Sequence, residues 1–408
     1  MIYLDWAATS KPDEAILSES LADTLLFFAN PSSQHEPGKQ ARELLESSRK
    51  RMLEAIQNAQ GKPSTKNQSG YPKLIFTASG TEADQIPLLA LLNKKNISKL
   101  TAEKAQRPHM VISAIEHAAI HSQVLHLQNL GFEVSFVRPD SEGFIHPSAV
   151  TKAIRPSTVL VAVMLVNNET GAIQDISGIG QAIEETSMAL GIKAPWFHVD
   201  CVQALGKIPL SLPYNVSSAA FSAHKIGGLK GIGALMLFKE LIPLAQGGGQ
   251  ESGYRSGTEN VAGIDAFSRC VQKSLSSLNK NLDHAHQLEQ LLINGLLTIP
   301  GCQILPTSRC PGESRFSPWI VSVSFPGLSG EVFQRALSEQ GICVSTGSAC
   351  ASSHGAHVKK GRRILDAMGI NPEASFCSIR ISIGVESTED EIGTFIETAH
   401  RLYISLKT

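Results

Sequence analysis

The middle of the chain alternates short apolar runs, rich in β-branched residues, with longer stretches in which apolar residues recur every three or four positions. The short runs predict strands and the longer stretches predict helices. Strands are predicted at residues 73–77, 109–113, 133–137, 159–166, 196–199 and 234–238, and helices at residues 81–93, 118–130 and 176–190. Strands that are almost continuously apolar are typical of a mainly parallel sheet covered on both faces. The pattern therefore predicts an α/β fold.

The pattern changes near residue 260. A long helix is predicted at residues 261–294, followed by a mixture of strands and helices at residues 320–325, 330–340, 342–345 and 378–383 and by a final helix. Thr388 and Glu391 have the spacing of a capping box at the start of that helix. We expect a large α/β domain at residues 15–260 and a smaller α+β domain at residues 261–408, against which residues 1–14 pack.

Composition excludes several classes of protein. Lys and Arg (36) balance Asp and Glu (37), and without a basic tract the chain is not expected to bind nucleic acid directly. The longest apolar run, residues 159–166, is far shorter than the about 20 residues that cross a bilayer. The start of the chain has no secretory signal pattern, and seven scattered cysteines argue against a disulfide framework or zinc ribbon. We expect a cytoplasmic protein without a membrane partner.

Polar residues follow several predicted strands, where ligands of open α/β sheets collect. The turn containing Gly80 and Thr81 opens a helix, so its amides would suit a phosphate or simply form an ordinary helix N-terminus. Asp200 ends a buried strand and needs a partner, either a cationic ring nitrogen or a cap or salt bridge.

Three further residues have side chains suited to chemistry. Lys225 lies between an apolar strand and a Gly-rich turn, where desolvation would favour Schiff-base formation, although a solvated lysine is the alternative. Cys350 lies in a loop of small residues that suits a nucleophilic thiol, whereas the other six cysteines are expected to be inert. Arg380 lies in an apolar strand and could hold a carboxylate in bidentate fashion.

His117 and His121 lie four residues apart on a predicted helix, a spacing that can bind a metal. With no Glu between them and no evident third ligand, we predict no metal site.

Taken together, these segments resemble the NifS/IscS-type (group I) cysteine desulfurases, fold-type I enzymes of the class-V aminotransferase family that use pyridoxal phosphate (PLP). The resemblance runs in order along nearly the whole chain. The segments that carry it are Tyr3-Leu4-Asp5, Ala7-Ala8-Thr9, Asn30-Pro31-Ser32-Ser33, Ser79-Gly80-Thr81-Glu82, Glu116-His117, Asn167-Asn168-Glu169-Thr170-Gly171, His198-Val199-Asp200, Ser222 with His224-Lys225, Arg255-Ser256-Gly257-Thr258, Gly347-Ser348-Ala349-Cys350 and Ser378-Ile379-Arg380. It implies a large domain with a mainly parallel, seven-stranded sheet and a smaller domain carrying the cysteine loop.

The resemblance also implies a role for each site residue. Lys225 would hold PLP as a Schiff base, Asp200 would pair with its ring nitrogen and His117 would stack on the ring. Arg380 and Asn168 would bind the substrate. The remaining cofactor-binding residues would be Asn168, Gln203, Gly80, Thr81, Ser222, His224 and, from the partner subunit of a homodimer, Thr258.

The implied reaction removes sulfur from L-cysteine, releases L-alanine and leaves a persulfide on Cys350. A sulfur-acceptor protein would then receive the sulfur for iron–sulfur cluster assembly, where Cys350 could transiently contact the cluster, or for tRNA thiolation. Two alternatives stay open: a selenocysteine lyase or other PLP lyase on the same fold, and a non-catalytic sulfur-relay or PLP-binding protein.

Overall fold

The computed structural model describes residues 1–60, 72–93, 107–347 and 362–407. The helices are α1 (Glu14–Leu26), α2 (Glu36–Ala59), α3 (Gly80–Leu89), α4 (Ala118–Asn129), α5 (Pro147–Ala153), α6 (Ile176–Ala189), α7 (Val261–Ser276), α8 (Leu278–Leu297), α9 (Gly330–Glu339), α10 (Arg363–Ala367), α11 (Pro372–Phe376) and α12 (Glu389–Lys407). The strands are β1 (Ile2–Tyr3), β2 (Lys73–Thr77), β3 (His109–Ser113), β4 (Glu133–Val137), β5 (Thr158–Ala162), β6 (Trp196–Asp200), β7 (Ser218–Ser222), β8 (Gly233–Leu237), β9 (Gln303–Leu305), β10 (Ile320–Ser324), β11 (Ile342–Cys343) and β12 (Ser378–Ser382).

A seven-stranded sheet with the order β2-β8-β7-β6-β5-β3-β4 forms the centre of the molecule. Strand β8 is antiparallel to both of its neighbours, and the remaining neighbouring pairs are parallel. The carboxyl ends of β2, β3, β5, β6 and β7 therefore meet at one edge of the sheet. The sheet confirms the predicted α/β class.

Helices cover both faces of this sheet. Alternate strand residues such as Phe197 and Phe221 pack with apolar residues of α2, α6 and α7 in the largest core cluster. On the opposite face, residues such as Ile112 and Leu160 pack against α3 and α4. Burial on both faces explains why the strands are continuously apolar in sequence.

A second core lies around the antiparallel sheet β12-β10-β9. Helices α8, α9 and α12 contribute Leu292, Phe333 and Phe395 to it. The start of the chain joins this core, because β1 pairs with β11 and Leu4 is fully buried there. The N-terminal segment then runs on toward the central sheet.

Three predicted elements are wrong in extent, and one of them, the strand predicted at residues 342–345, ends at Cys343. The single helix predicted at residues 261–294 is two helices, α7 and α8, which meet at Ser277. Ser276 Oγ donates to the carbonyl oxygen of Lys273, a local bond that competes with helix continuation. The strand predicted at residues 159–166 ends at Ala162, and the chain from there turns into the site described below.

The capping box of α12 is confirmed by two reciprocal hydrogen bonds. Thr388 N donates to Glu391 Oε2 at 3.1 Å, and Glu391 N donates to Thr388 Oγ1 at 3.2 Å. Among the described residues, no helix is both long and apolar enough to cross a membrane.

Candidate active site

A cavity of about 240 Å³ opens at the edge of the central sheet where the parallel strands end. Strand β6 ends at Asp200, and Lys225 follows β7 by three residues. His117 and Asn168 lie on the connections that follow β3 and β5. The cavity is lined by Ala7, Ala8, Ser79, Gly80, Thr81, Asp84, His117, Met164, Asn168, Asp200, Val202, Gln203, Ser222, His224, Lys225 and Arg380.

The N-terminus of α3 forms one end of the cavity. Ser79 caps the helix, its Oγ accepting a hydrogen bond from Glu82 N at 3.1 Å. The first amides of a helix have no intrahelical acceptor, so those of Gly80 and Thr81 are suited to an anion at this end. A side chain at position 80 would crowd the site, because a Cβ there would lie 2.9 Å from Val202 Cγ2 and 3.1 Å from Ser222 Cβ.

The amine of Lys225 is held by the N-terminal segment of the chain. Its Nζ donates to the carbonyl oxygen of Ala7 at 2.7 Å and to that of Ala8 at 2.8 Å. Ser10 Oγ donates to the carbonyl oxygen of Lys225 at 2.6 Å. These contacts place the first residues of the chain directly against the site lysine.

Two buried carboxyl groups, those of Asp84 and Asp200, line the cavity, and a third, that of Glu116, is buried nearby. Burial, reinforced by the other two carboxylates, raises the pKa of Asp84 well above its usual range. Burial also raises the pKa of Glu116 to about 8 and raises that of Asp200, whose Oδ1 accepts a hydrogen bond from Val202 N at 2.8 Å. Burial lowers the pKa of His198 to about 3. The 3.1 Å contact between His198 Nε2 and Asp84 Oδ1 therefore joins two groups whose charged forms are both disfavoured by burial.

Two imidazoles line the cavity. His117 is the N-cap of α4, and its Nδ1 accepts a hydrogen bond from Ala119 N at 3.2 Å. Burial lowers the pKa of His117, partly opposed by the charge of Asp200. Burial, followed by nearby cations, lowers the pKa of His224 to about 4. Low pKa values favour uncharged rings at neutral pH.

Arg380 and Asn168 meet at the side of the cavity formed by β12. Arg380 Nη1 donates to the carbonyl oxygen of Asn168 at 2.9 Å, and Nη2 donates to Asp5 Oδ1 at 2.8 Å. Within the described residues, Asn168 Oδ1 and Arg380 Nε are buried without a hydrogen-bond partner. Buried polar atoms of this kind at a cavity wall indicate that a ligand completes them.

The donor set fits one kind of cofactor. The cavity contains the amine of Lys225, the carboxyl group of Asp200 and the imidazole ring of His117. A helix N-terminus that suits a phosphate lies in the same cavity. An aldehyde cofactor with an aromatic nitrogen and a phosphate would use all four groups. The unpartnered Asn168 Oδ1 and the crowding around Gly80 agree with a site shaped for a ligand.

Most of the predicted site residues lie together, and Thr258 does not. Thr258 is exposed and lies outside the residues that line this cavity. Cys350 lies outside the described residues. His121 packs against Phe136, with 5.4 Å between ring centroids, and the described chain contains no cluster of three or more metal-ligating side chains.

Several lining residues received no role from the sequence: Ala7, Ala8, Ser79, Asp84, Met164 and Val202. Ala7 and Ala8 act through backbone oxygens, which carry no side-chain signal. Asp84 lies three residues after Thr81, nearly one helical turn along α3, and this spacing could have identified it.

Comparison with known proteins agrees with the geometry. The family model for class-V aminotransferases matches residues 2–395. A cysteine desulfurase IscS of Dictyoglomus turgidum is 30% identical over 410 residues, covering 100% of this chain and 95% of that protein. A solved NifS-like protein superposes with a TM-score of 0.82 at 31% identity, covering 99% of both chains, and a solved SspA in complex with cysteine with a TM-score of 0.71 at 26% identity, covering 95% of this chain and 100% of that one.

Fold and site together thus define an enzyme of mixed α/β architecture built around a partly buried lysine at the edge of a mainly parallel sheet. The chain belongs to the class-V aminotransferase family, within its NifS/IscS-type cysteine desulfurases.

Proposed function

We propose that this protein is a PLP-dependent cysteine desulfurase that converts L-cysteine to L-alanine and takes up the sulfur on Cys350. The proposal rests on one observation: Lys225, Asp200, His117 and Arg380 line the same cavity, together with the N-terminus of α3. PLP, when bound, supplies a conjugated ring that stabilises negative charge on the carbon beside a substrate amine.

Each residue of the site would have a separate role in the reaction. Lys225 would attach the cofactor, and its freed amine would take the proton from the substrate Cα. Asp200 would pair with the ring nitrogen, and the neutral ring of His117 would stack on the cofactor. The amides of Gly80 and Thr81, with Ser222 and His224, would hold the phosphate. Gln203 and Asn168 would bind near the ring oxygen, and Arg380 would bind the substrate carboxylate.

The sulfur step balances without an external oxidant. The thiolate of Cys350 attacks the substrate sulfur, so an S–S bond forms as the C–S bond breaks. The electron pair of the C–S bond stays with the carbon, which is protonated to give L-alanine, and Cys350 is left as a persulfide. An acceptor protein then removes the outer sulfur, for iron–sulfur cluster assembly or tRNA thiolation.

We also infer that the chain has two domains and that two chains assemble. The large domain comprises residues 15–260 and the small domain residues 261–408 with residues 1–14. Two chains form a homodimer in which Thr258 of the partner subunit completes the phosphate site; the exposure of Thr258 on its own chain supports this arrangement. A cytoplasmic location without direct contact to nucleic acid stays a prediction.

The test begins with the purified protein and excess PLP. We expect a yellow protein whose reduction with borohydride attaches the cofactor at Lys225, with release of alanine and formation of a Cys350 persulfide when L-cysteine is added.

Cys350→Ser should keep the absorbance of the bound cofactor and lose persulfide and alanine formation. The matched variant of an exposed cysteine, Cys310→Ser, should keep the absorbance and both activities. A colourless protein, or full turnover in Cys350→Ser, would contradict the proposal. Assays with selenocysteine in parallel separate the lyase alternative.

A complementation experiment tests the role of Thr258. Lys225→Ala and Thr258→Ala chains, each of low activity alone, are co-expressed with different tags and the mixed dimer is isolated. One site of that dimer combines an intact Lys225 with an intact Thr258 from the other chain. We expect up to about half of wild-type activity in the mixed dimer. No recovery would show that Thr258 does not act across the interface.

A further inference from the structure

A second lysine, Lys207, is buried beside the cavity without lining it. Its Nζ donates to Gln203 Oε1 at 3.0 Å, and Gln203 Nε2 donates to the carbonyl oxygen of Ala7 at 2.9 Å. The same oxygen of Ala7 accepts the hydrogen bond from Lys225 Nζ. Gln203 thus lies between two lysines and is one of the residues that line the cavity.

The partners of the Gln203 amide leave it a single orientation. The amine of Lys207, when protonated, can only donate, and the carbonyl oxygen of Ala7 can only accept. The amide oxygen must therefore face Lys207, and the amide nitrogen must face Ala7. One N–H of Gln203 is used by Ala7, so the second is available at the cavity. Without a donor at position 207, the hydrogen bond to Ala7 would be left to hold this orientation without the bond from Lys207.

The position of Lys207 is costly for the fold. Burial, together with the charges of Lys225 and Arg380, lowers the pKa of Lys207 to about 7. The partner of its amine is a neutral amide rather than a carboxylate. The backbone around it is held in place, because Trp319 Nε1 donates to the carbonyl oxygen of Lys207 at 2.7 Å. A buried amine with so little compensation suggests a role other than stability.

We propose that Lys207 is a positioning residue, which holds the Gln203 amide with its nitrogen toward the cavity so that it donates to the ring oxygen of the cofactor. The inference rests on the proposed function, because it presumes that PLP occupies the cavity. In this proposal the effect of Lys207 on cofactor affinity depends on Gln203, and this dependence distinguishes it from a lysine that simply supports the fold.

A double-mutant cycle tests this dependence. Lys207→Met, Gln203→Leu and the double variant are compared by the dissociation constant of PLP and by the pH midpoint of the absorbance of the bound cofactor, without substrate. We expect Lys207→Met to weaken PLP binding about tenfold, the loss of one hydrogen bond, and to shift the midpoint. In the Gln203→Leu background the same substitution should cause no further loss of PLP affinity. Lys50→Met, at a position whose side chain is 75% exposed, is the matched control and should behave as wild type.

Melting of the cofactor-free proteins separates positioning from structural support. Removing a poorly compensated buried charge should leave the melting temperature of Lys207→Met at or above that of wild type. Three results would each overturn the inference. They are additive effects of the two substitutions on PLP affinity, an unshifted midpoint in Lys207→Met, and a lower melting temperature of Lys207→Met with unchanged PLP affinity. Failure of the wild-type protein to bind PLP would instead overturn the proposed function.

Discussion

Asp5 and Arg380 form a salt bridge 375 residues apart in sequence, with 2.8 Å between Oδ1 and Nη2. The side chain of Arg380 is 3% exposed, and its Nη1 is occupied by the carbonyl oxygen of Asn168. The bridge joins the segment after β1 to β12 and thus aims the guanidinium into the cavity. A substrate carboxylate would meet an arginine that is already oriented.

Replacing this arginine should affect substrate binding before it affects chemistry. Arg380→Lys keeps the charge and a donor for Asp5 but loses the planar fork that matches a carboxylate. Charge-assisted hydrogen bonds contribute about 1.5–3 kcal/mol, so we expect the KM for L-cysteine to rise about 10- to 100-fold with a smaller change in kcat. Steady-state assays of alanine release check this, with Arg401→Lys on the exposed face of α12 as control. An unchanged KM would remove Arg380 from the substrate site.

Gly233 supports the turn that would hold the cofactor phosphate. It begins β8, and a Cβ there would lie 2.3 Å from the carbonyl carbon of Ser79 and 2.7 Å from the backbone nitrogen of Gly80. Backbone cannot move aside as a side chain can, so Gly233→Ala must displace the turn. We expect the dissociation constant of PLP, measured by equilibrium titration, to rise at least about tenfold, an increase of about 1.4 kcal/mol in binding free energy.

The control for this substitution is Gly393→Ala in α12, where a Cβ would meet no atom within 4 Å. That variant should bind PLP as wild type does, and it should be more stable by up to about 1 kcal/mol because alanine is the better helix former. Equal PLP affinity in the two variants would show that the turn tolerates displacement.

Glu116 should make stability depend on pH. Its Oε1 accepts hydrogen bonds from Ser113 Oγ and from Met164 N, and its Oε2 is buried without a partner among the described residues. Burial raises the pKa of Glu116 from 4.5 to about 8. Between those values the folded state holds a proton that the unfolded state has lost. The contribution of Glu116 to stability is thus fully present below pH 4.5 and is lost as pH rises through about 8.

The amide introduced by Glu116→Gln cannot ionise, so the variant should not lose this contribution to stability as the pH rises. The quantity to compare is the melting temperature of the variant minus that of wild type. We expect this difference to be at least about 2 °C larger at pH 9 than at pH 5. Differential scanning calorimetry of the cofactor-free proteins measures it. Glu397→Gln, at an exposed position of α12, should show the same difference at both pH values. A pH-independent difference for Glu116→Gln would contradict the assignment.

Arg309 and Glu289 form a fully buried ion pair, with 3.0 Å between Nη2 and Oε1. Arg309 Nη1 also donates to the carbonyl oxygens of Thr170 and Ile320, so the pair connects α8 to the loop that contains Asn168. Arg309→Met leaves the carboxylate of Glu289 buried and unpaired. We expect the free energy of unfolding in urea to fall by about 3–5 kcal/mol.

The double variant Arg309→Met/Glu289→Gln removes both charges and provides the control. It should recover a large part of the lost stability, because replacing both members of a buried pair costs far less than breaking it. If the single variant were as stable as wild type, Arg309 would not compensate Glu289 in the folded protein.

The sequence by itself determined the α/β class, most strands of the central sheet and the interest of Asp200 and Lys225 as candidate site residues; β7 (Ser218–Ser222) was not among the strands given bounds. Strands buried on both faces must be continuously apolar, so a charged residue directly after such a strand stands out. Helix starts with a local signature were also accessible, as Thr388 and Glu391 show, because a capping box needs only neighbours within one turn.

Only the tertiary structure decided which distant groups meet. The carbonyl oxygen of Ala7 reaches Lys225 across 218 residues, and every residue carries the same carbonyl group, so no sequence pattern marks it. Likewise, the pKa values of Glu116 and Lys207 follow from burial beneath elements remote in sequence. The break at Ser277 was also not visible in the sequence, because one long helix and two consecutive helices can show the same apolar periodicity. The two cases differ in the elements against which the helices pack.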